Sequence, residues 1–336
     1  MHMADALLSP AVGGAMTAVS AVALGYAVKK ISKNGMDEKK IPIMGVMGAF
    51  VFAGQMINFT IPATASSGHI GGGVLLAALL GPFPALLTLA AVLLIQCLFF
   101  ADGGLLAYGC NVFNMGVVAC LFAFQYLYKP IVSRKMNAQS ILLASVVATV
   151  LGLQVGAFCV VLETLLSGVT ELPFASFAAL MQPIHLAIGL VEGFITAAVL
   201  SFVRNARPEL LENALQDAKI SRSVSTKKVL AIFLVLTALV GGGLSLFASA
   251  YPDGLEWSME GVAGTAELKQ GGTVHEAAAS AVEVTAFMPD YSFTGDEGSP
   301  LGTSAAGLIG SAMTVVLAGG IGLLIHTVKK AQKNPV

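Results

Sequence analysis

The segment IPIMGVMGAFVFAGQMINFT, residues 41–60, opens a run from Ile41 to Ala101 that contains no Asp, Glu, Lys or Arg. Hydrophobic residues make up 56% of the 336-residue chain and charged residues 11%, whereas about 25% of an ordinary soluble domain is charged. A single membrane-spanning helix needs only roughly 20 apolar residues. The composition therefore predicts an all-α polytopic membrane helix bundle and excludes a soluble enzyme. A net charge of −1 also argues against a nucleic-acid-binding protein.

Charge-free runs and Gly/Pro breaks define the expected spans and modules. The third span is short, and its start, Ser66-Ser67-Gly68-His69, is expected to be unwound or re-entrant. Such backbone persists in a bilayer only when it is buried in protein or lines a cavity. The polar linker 204–228 predicts a boundary between a seven-span module, 1–203, and a two-span module, 229–336. The predicted spans are 5–28, 41–60, 69–81, 83–100, 112–128, 140–167, 178–203, 229–250 and 303–326.

The distribution of basic residues predicts the orientation in the cell membrane. All but one of the 18 Lys and Arg residues lie in four inter-span or terminal segments that the nine-span layout puts on one side. Because basic residues favour the cytoplasmic side, we expect the N-terminus outside and the C-terminus in the cytoplasm. The four segments are 29–40, 129–139, 204–228 and 327–336.

The segment 251–302 is predicted to be an acidic extracytoplasmic loop. It contains many Asp and Glu residues and a single basic residue, Lys269. Such a loop would concentrate cations near the membrane, although a solvated acidic surface without that role is equally consistent with the pattern. The chain start lacks the cationic segment of a cleaved signal peptide, and we therefore expect the mature chain to begin at Met1.

The first two residues offer three nitrogens to one metal ion. The Met1 amine, the His2 amide nitrogen and His2 Nδ1 can close fused five- and six-membered chelate rings. Such a chelate needs a deprotonated amide, which Ni(II) and Cu(II) promote and Zn(II) promotes much less. Because both metals favour a square plane of nitrogens, a fourth ligand is required. A histidine at position 2 is also compatible with an incidental terminal residue.

His69 is the candidate for that fourth ligand. It lies in a Ser- and Gly-rich break of the uncharged run, where a polar residue is costly and commonly functional. The predicted topology puts it on the same side as Met1, although a core histidine bonded to a carbonyl is an alternative. We predict Met1, His2 and His69 as metal ligands. Because an unperturbed imidazole has a pKa of about 6.5, binding is expected to weaken as the pH falls through that value.

Other polar residues of the predicted bundle have less defined roles. His185 and Glu192 lie on one face of the seventh span, where they could serve metal transit, a proton relay or a structural hydrogen-bonded pair. Asp102, Asn111 and Asn114 could orient a ligating histidine, and helix capping explains Asp102 and Asn111 equally well.

The cysteines and the remaining motifs indicate neither a cofactor nor an enzyme. Cys97, Cys110, Cys120 and Cys159 lie in or beside apolar runs and form no CxxC pair. They are therefore interpreted as small buried apolar residues rather than disulfide or zinc ligands. No P-loop, HExxH or Rossmann motif occurs in a credible context, so energy for active transport would come from another chain. Asp5 is expected to hold an inserted N-terminus.

The first part of the chain contains the motifs Met1 to Leu8, Phe50 to Phe59, Ser67-Gly68-His69, Ala101-Asp102-Gly103-Gly104 and Asn111 to Met115. These motifs resemble the CbiM/NikM family, the substrate-capture membrane components of energy-coupling factor (ECF) transporters for cobalt and nickel. The resemblance covers roughly 1–203, although Ala4-Asp5-Ala6 departs from the usual family pattern. The C-terminal part contains Pro252-Asp253-Gly254-Leu255-Glu256 and Pro289-Asp290-Tyr291 and resembles the NikN-type partner. The chain is thus similar to a fused NikMN.

This resemblance implies a Ni(II) or Co(II) site formed by the Met1 amine, the His2 amide and imidazole nitrogens, and the His69 imidazole. It also implies the substrate-binding subunit of an ECF-type ABC importer, with a transmembrane coupling (T) subunit and cytoplasmic ATPases as separate chains. The alternative is a metal-binding membrane receptor or assembly protein without transport activity. An intramembrane enzyme based on His185 and Glu192 lacks a second acidic or nucleophilic partner, and a vitamin-binding component would have no use for two convergent histidines.

Overall fold

A computed structural model describes residues 1–220, 225–266, 268, 271–296 and 299–333. Within these residues the chain forms twelve helices and one short hairpin, which confirms the predicted helical membrane bundle. Lys269 of the predicted acidic loop lies outside the described residues, as does part of the linker 204–228. The helices are α1 (Pro10–Asn34), α2 (Lys40–Gln55), α3 (Gly73–Leu80), α4 (Pro82–Phe100), α5 (Tyr108–Val132), α6 (Ala138–Ser167), α7 (Phe174–Ala206), α8 (Pro208–Gln216), α9 (Lys227–Gly242), α10 (Gly254–Ala263), α11 (Thr273–Thr285) and α12 (Pro300–Lys333).

Every predicted span contains a helix of the structure, and seven of these helices are long and apolar enough to cross a membrane. The exceptions are α2, with 16 residues, and α3, with 8 residues. The second predicted span, 41–60, was too long because α2 ends at Gln55. Beyond it the chain forms an antiparallel hairpin of Phe59–Ile61 and Ser66–Gly68, whose turn contains Pro62. A proline disfavours a helical conformation of the residue before it, which agrees with the extended conformation of Ile61.

The short third helix brings irregular backbone into the middle of the bundle. With 8 residues, α3 rises about 12 Å from the turn that joins it to α4, whereas the 19-residue α4 rises about 28 Å. The segment 69–72 therefore meets the bundle about halfway along α4. This agrees with the expected interruption near His69.

The central helices are apolar on all sides. Almost all side chains of α2 and α4 are buried, as expected for helices without a polar face inside a larger bundle. The helices α5, α6 and α7 pack side by side, whereas α9 and α12 pack against α2. At Gly45 a side chain would meet the Val315 carbonyl oxygen at 2.9 Å, and so the glycine permits close packing of α2 and α12. The C-terminal helices thus share the core of the preceding ones.

Candidate metal centre

The first residues of the chain insert between the helices. Met1 is 6% exposed and Met3 is completely buried. Asn111 holds Met3 from both sides of its backbone: its Oδ1 atom accepts from the Met3 amide at 2.7 Å, and its Nδ2 atom donates to the Met3 carbonyl at 3.1 Å. The Gly104 amide donates to the same carbonyl at 3.0 Å. Asn111 therefore fixes the N-terminal segment and is not a helix cap.

Further contacts fix the segment that follows. The Asp5 carboxylate accepts a hydrogen bond from the Ala107 amide at 2.9 Å, as expected for a residue that holds the inserted tail. His275 of α11 places Nε2 at 2.9 Å from the Leu8 carbonyl oxygen. No feature of the sequence indicated this contact between the acidic loop and the N-terminal segment. The tail is consequently anchored both by the first helices and by the segment before α12.

The imidazoles of His2 and His69 lie face to face. Their ring centroids are 5.1 Å apart and their planes differ by 15°. His69 Nδ1 lies 3.0 Å from the Ile70 carbonyl oxygen, and so its Nε2 atom carries the free lone pair when the ring is neutral. His2 Nδ1 lies 3.3 Å from Asp102 Oδ2, whereas His2 Nε2 is buried without a hydrogen-bond partner. Binding of a metal through His2 Nδ1 therefore requires release of Asp102.

The segment after His69 is held by buried polar side chains. Glu192 of α7, 4% exposed, accepts hydrogen bonds from the amides of Gly71 and Gly72 at 2.9 Å each. Gln55 donates to the Gly71 carbonyl at 3.1 Å and accepts from Gln96 at 2.8 Å. Glu192 thus fixes the unwound backbone that carries His69, a role that the sequence left open.

The two motifs of the C-terminal part reach the same site. Asp253 Oδ2 lies 2.5 Å from the Met1 amino nitrogen, and the Asp253 side chain also caps α10 together with Glu256. The Tyr291 hydroxyl donates to Asp102 Oδ2 at 2.5 Å. The segment 251–302 therefore supplies one of the two carboxylates next to the predicted ligands, that of Asp253, and contacts the other, that of Asp102.

Backbone contacts connect this segment to the hairpin before His69. The Ser67 amide donates to the Pro252 carbonyl at 2.8 Å, and its hydroxyl donates to the Tyr251 carbonyl at 2.7 Å. The Ser249 amide donates to the Asn58 carbonyl at 2.7 Å. The hairpin thus joins the two parts of the chain beside the site.

Burial controls the charge of the site residues, which lie outside the spanning helices. Burial and the nearby N-terminal charge lower the pKa of His2 to about 3. The same two causes, together with His2, lower the pKa of His69 to about 4. Burial alone would raise the pKa of Asp253, but the adjacent N-terminal ammonium holds it below its ordinary value. At neutral pH both imidazoles are therefore neutral and can donate a lone pair to a metal.

A small cavity adjoins these groups. Its volume is about 10 Å³, roughly the space that one water molecule requires. Within the described residues no three His, Cys, Asp or Glu side chains converge closely enough to hold a metal by themselves. The lining residues include Met1, His69, Met115, His185 and Asp253.

The structure brings the three predicted ligands together and adds groups that the sequence analysis missed. Met1, His2 and His69 lie at one site. Asp253, Tyr291 and Gln55 each lie inside a motif that is visible in the sequence, and these motifs were the available signal. The residues that they contact on the first helices could not be inferred from the motifs.

One polar residue of α5, Asn114, and one cysteine of α6, Cys159, differ from expectation. Asn114 donates to Glu163 Oε2 at 2.8 Å, and both side chains are buried. Asn114 was expected to orient a ligating histidine, whereas in the structure it donates to Glu163. Cys97, Cys110 and Cys120 are buried, which agrees with their interpretation as small buried apolar residues, but Cys159 is only partly buried.

Comparisons with known proteins agree with the motifs. Residues 2–210 match the family described as CbiM, cobalt uptake substrate-specific transmembrane region, and residues 227–327 match the PDGLE domain. A NikMN protein of Archaeoglobus fulgidus is 31% identical, over 94% of this chain and 96% of its own length. The fused nickel transport protein NikMN of Rhodobacter capsulatus is 29% identical over 96% of both chains.

A solved structure shares the fold of the N-terminal part. The crystal structure of a transition metal transporter is 31% identical, superposes with a TM-score of 0.55, and covers 62% of this chain and 95% of its own length. The sequence thus matches both families. Its structure contains the inserted N-terminal tail, the paired imidazoles and the contacts from the segment around Asp253. This chain belongs to the CbiM family of cobalt-uptake transmembrane proteins and, with its PDGLE domain, has the fused NikMN organisation.

Proposed function

We propose that this chain is the substrate-binding membrane subunit of an ECF-type ABC importer that captures Ni(II) or Co(II) outside the cell and delivers it across the cytoplasmic membrane. ATP is hydrolysed by separate cytoplasmic subunits, and a transmembrane coupling subunit links them to this chain. The chain itself is not an enzyme. Relatives named as nickel and cobalt transport proteins support this assignment.

The observation that carries the proposal is the position of the two neutral imidazoles beside the chain start. His2 and His69 stack at 5.1 Å, and Met1 lines the adjoining cavity together with His69. In the proposed complex the Met1 amine, the His2 amide and Nδ1 atoms, and His69 Nε2 form a plane of four nitrogens. Such a plane suits Ni(II) best among the two candidate metals.

We propose a division of labour between the modules 1–203 and 229–336, joined by the linker 204–228. The first module supplies the metal ligands. The second contributes Asp253 and Tyr291, which contact the Met1 amine and the Asp102 carboxylate and are not ligands of the proposed plane. Their carboxylate and phenol oxygens are harder donors than the nitrogens of the proposed plane, which supports this role.

Metal titration of the purified chain tests the site. Ni(II) and Co(II) are titrated into wild type, His2→Ala and His69→Ala, with His326→Ala as the control because its side chain lies at the distant end of α12 beside Glu38. A yellow diamagnetic nickel complex is expected in wild type and the control. Unchanged affinity in His2→Ala or in His69→Ala would contradict the assignment of that ligand.

Uptake measurements distinguish an importer from the alternative, a metal-binding membrane receptor or assembly protein without transport. Cells that contain this chain with its coupling and ATPase subunits should accumulate radioactive nickel or cobalt only when ATP hydrolysis is intact. Binding of metal without accumulation would favour the receptor.

Cysteine labelling tests the proposed orientation, in which the N-terminus lies outside and the linker 204–228 lies in the cytoplasm. Ser225 is exposed in this linker. A cysteine placed there should react with a membrane-impermeant reagent only after the cells are opened, and labelling in intact cells would contradict the topology.

A further inference from the structure

His185 is a buried histidine that the proposed nitrogen plane does not use. It lies on α7 and is 1% exposed. Its Nδ1 atom lies 2.7 Å from the Met181 carbonyl oxygen, and so a neutral ring donates its Nδ1 proton there. The lone pair then lies on Nε2, which is buried and has no hydrogen-bond partner. Histidines that bind metals commonly have this arrangement, with the second nitrogen donating to a carbonyl.

The position of His185 connects it with the proposed capture site. The same cavity of about 10 Å³ is lined by Met1, His69 and His185. The first turn of α10 covers the imidazole, because a side chain at Gly254 would meet His185 Cε1 at 3.2 Å. The unpartnered ring is thus enclosed beside the nitrogens that are proposed to capture the ion.

A second cavity lies next to the first, on the side of Glu192. Its volume is about 20 Å³, and it shares Met1 and Gly71 with the first cavity. It is also lined by Asn114, whose Oδ1 atom is buried without a partner, and by Glu192. Glu192 follows His185 by seven residues, about 10 Å further along the helix. The two cavities therefore place successive polar atoms along one side of α7.

We propose that His185 Nε2 is a transit ligand, which takes the Ni(II) or Co(II) ion from the Met1, His2 and His69 nitrogens as the ion moves into the bundle. This inference rests on the proposed importer function. In the first step one metal–nitrogen bond of the plane breaks as the bond to His185 Nε2 forms, without oxidation or reduction. When the bonds to the amine and the amide break in turn, each of these two nitrogens takes up one proton from water. A neutral His185 imidazole accepts the ion without losing a proton.

The geometry favours a transit role over membership of the first site. The Met1 and His2 nitrogens, completed by His69, already fill a plane of four, which is the number that square-planar nickel requires. In the described part of the chain, His185 also does not converge with His2 and His69 into a cluster of three. It is therefore positioned to act after capture, when a bond of the plane opens.

Two substitutions of His185 separate a ligand from a packing residue. His185→Gln keeps a polar side chain of similar size but removes the imidazole, whereas His185→Cys restores a soft metal ligand. The control is His326→Gln, whose side chain faces Glu38 at the distant end of α12. Radioactive nickel uptake is measured with the coupling and ATPase subunits present, and nickel affinity is measured on the purified full chain.

We expect His185→Gln to bind nickel within about threefold of wild type but to transport it at least about tenfold more slowly, the size of effect that loss of a metal-site partner commonly has. His185→Cys should recover at least about a third of wild-type uptake, and the control should transport normally. Uptake of His185→Gln within about twofold of wild type would overturn the proposal and leave Nε2 to a bound water.

Two other results would also overturn it. Equal loss of uptake in the Gln and Cys variants would assign His185 to packing, and weakening of nickel binding by about tenfold or more in His185→Gln would place it in the capture site. Failure of the importer function itself has a different signature, since wild type would then bind nickel or cobalt without accumulating it, or would not bind it at all.

Discussion

The pH dependence of nickel affinity is a sensitive test of the buried imidazoles. Burial together with the N-terminal charge lowers the pKa of His2 to about 3 and that of His69 to about 4. An imidazole with a lowered pKa remains neutral until the pH falls to that lower value. Protons therefore do not compete with the metal at either ring between pH 7 and about pH 5, in contrast to the expectation from unperturbed histidines.

The magnitude follows from the proton balance. With an ordinary pKa of about 6.5, each imidazole would weaken nickel binding about thirtyfold at pH 5, or about a thousandfold for both. With the lowered values the loss at the rings is about 10% in total. Two protons still leave on binding, one from the Met1 ammonium that Asp253 holds and one from the His2 amide. The logarithm of affinity should thus change by about two per pH unit from pH 6.5 to pH 5.

Equilibrium dialysis with radioactive nickel at constant ionic strength provides the assay. Circular dichroism at each pH verifies that the protein remains folded. His69→Ala serves as a comparison, because loss of a ring that carries no proton should lower the affinity but leave the slope unchanged. A slope that steepens toward four below pH 6.5 in wild type would refute the reasoning, since it would require two imidazoles that protonate as in water.

Other changes test separate parts of the site. Insertion of one alanine between Met1 and His2 should abolish nickel uptake, because the shifted tail no longer fits its cavity; binding in solution can survive through an additional amide nitrogen, and normal uptake would refute a fixed N-terminus. His69→Ala should weaken nickel binding about 10–100-fold in calorimetric titration, and an unchanged affinity would exclude it as the fourth ligand. Tyr291→Phe should weaken nickel binding by about tenfold. Metal binding takes the His2 imidazole away from the Asp102 carboxylate, and the Tyr291 hydroxyl is then the remaining donor to that carboxylate. Tyr251→Phe in the same loop is the matched control, and equal affinities of the two variants would contradict this role.

Much of the architecture follows from local sequence features. The uncharged run from Ile41 to Ala101 predicts crossing helices because unpaired charges are costly in a bilayer, and seven spans agree with long apolar helices. The exact end of α2 did not follow, because an apolar composition does not distinguish a helix from the Phe59–Ile61 strand that replaces it. Proline at position 62 was a local signal against a helical Ile61, but it does not fix the end of the helix at Gln55.

The candidate ligands were accessible from chemistry, whereas their surroundings were not. Met1 and His2 are adjacent in the chain, and so their chelate geometry is a covalent property of the first two residues. His69 was identified because it is a histidine in a Ser- and Gly-rich break of a long uncharged run. In contrast, Glu192 was correctly placed on one face of its helix with His185, but its two hydrogen bonds to the backbone after His69 depend on how α7 packs.

The helical membrane fold and the short set of candidate metal-binding nitrogens could be predicted from the sequence alone, because hydropathy and chelate geometry are local properties. The contact of Asp253 with the Met1 amine across 252 positions and that of Tyr291 with the carboxylate of Asp102 could not be predicted, because they depend on the tertiary fold. Such contacts arise from the packing of α9 and α12 against α2, which positions the connecting segment over the site. Helix packing depends on the shapes of both surfaces at once, and no single stretch of sequence contains that information.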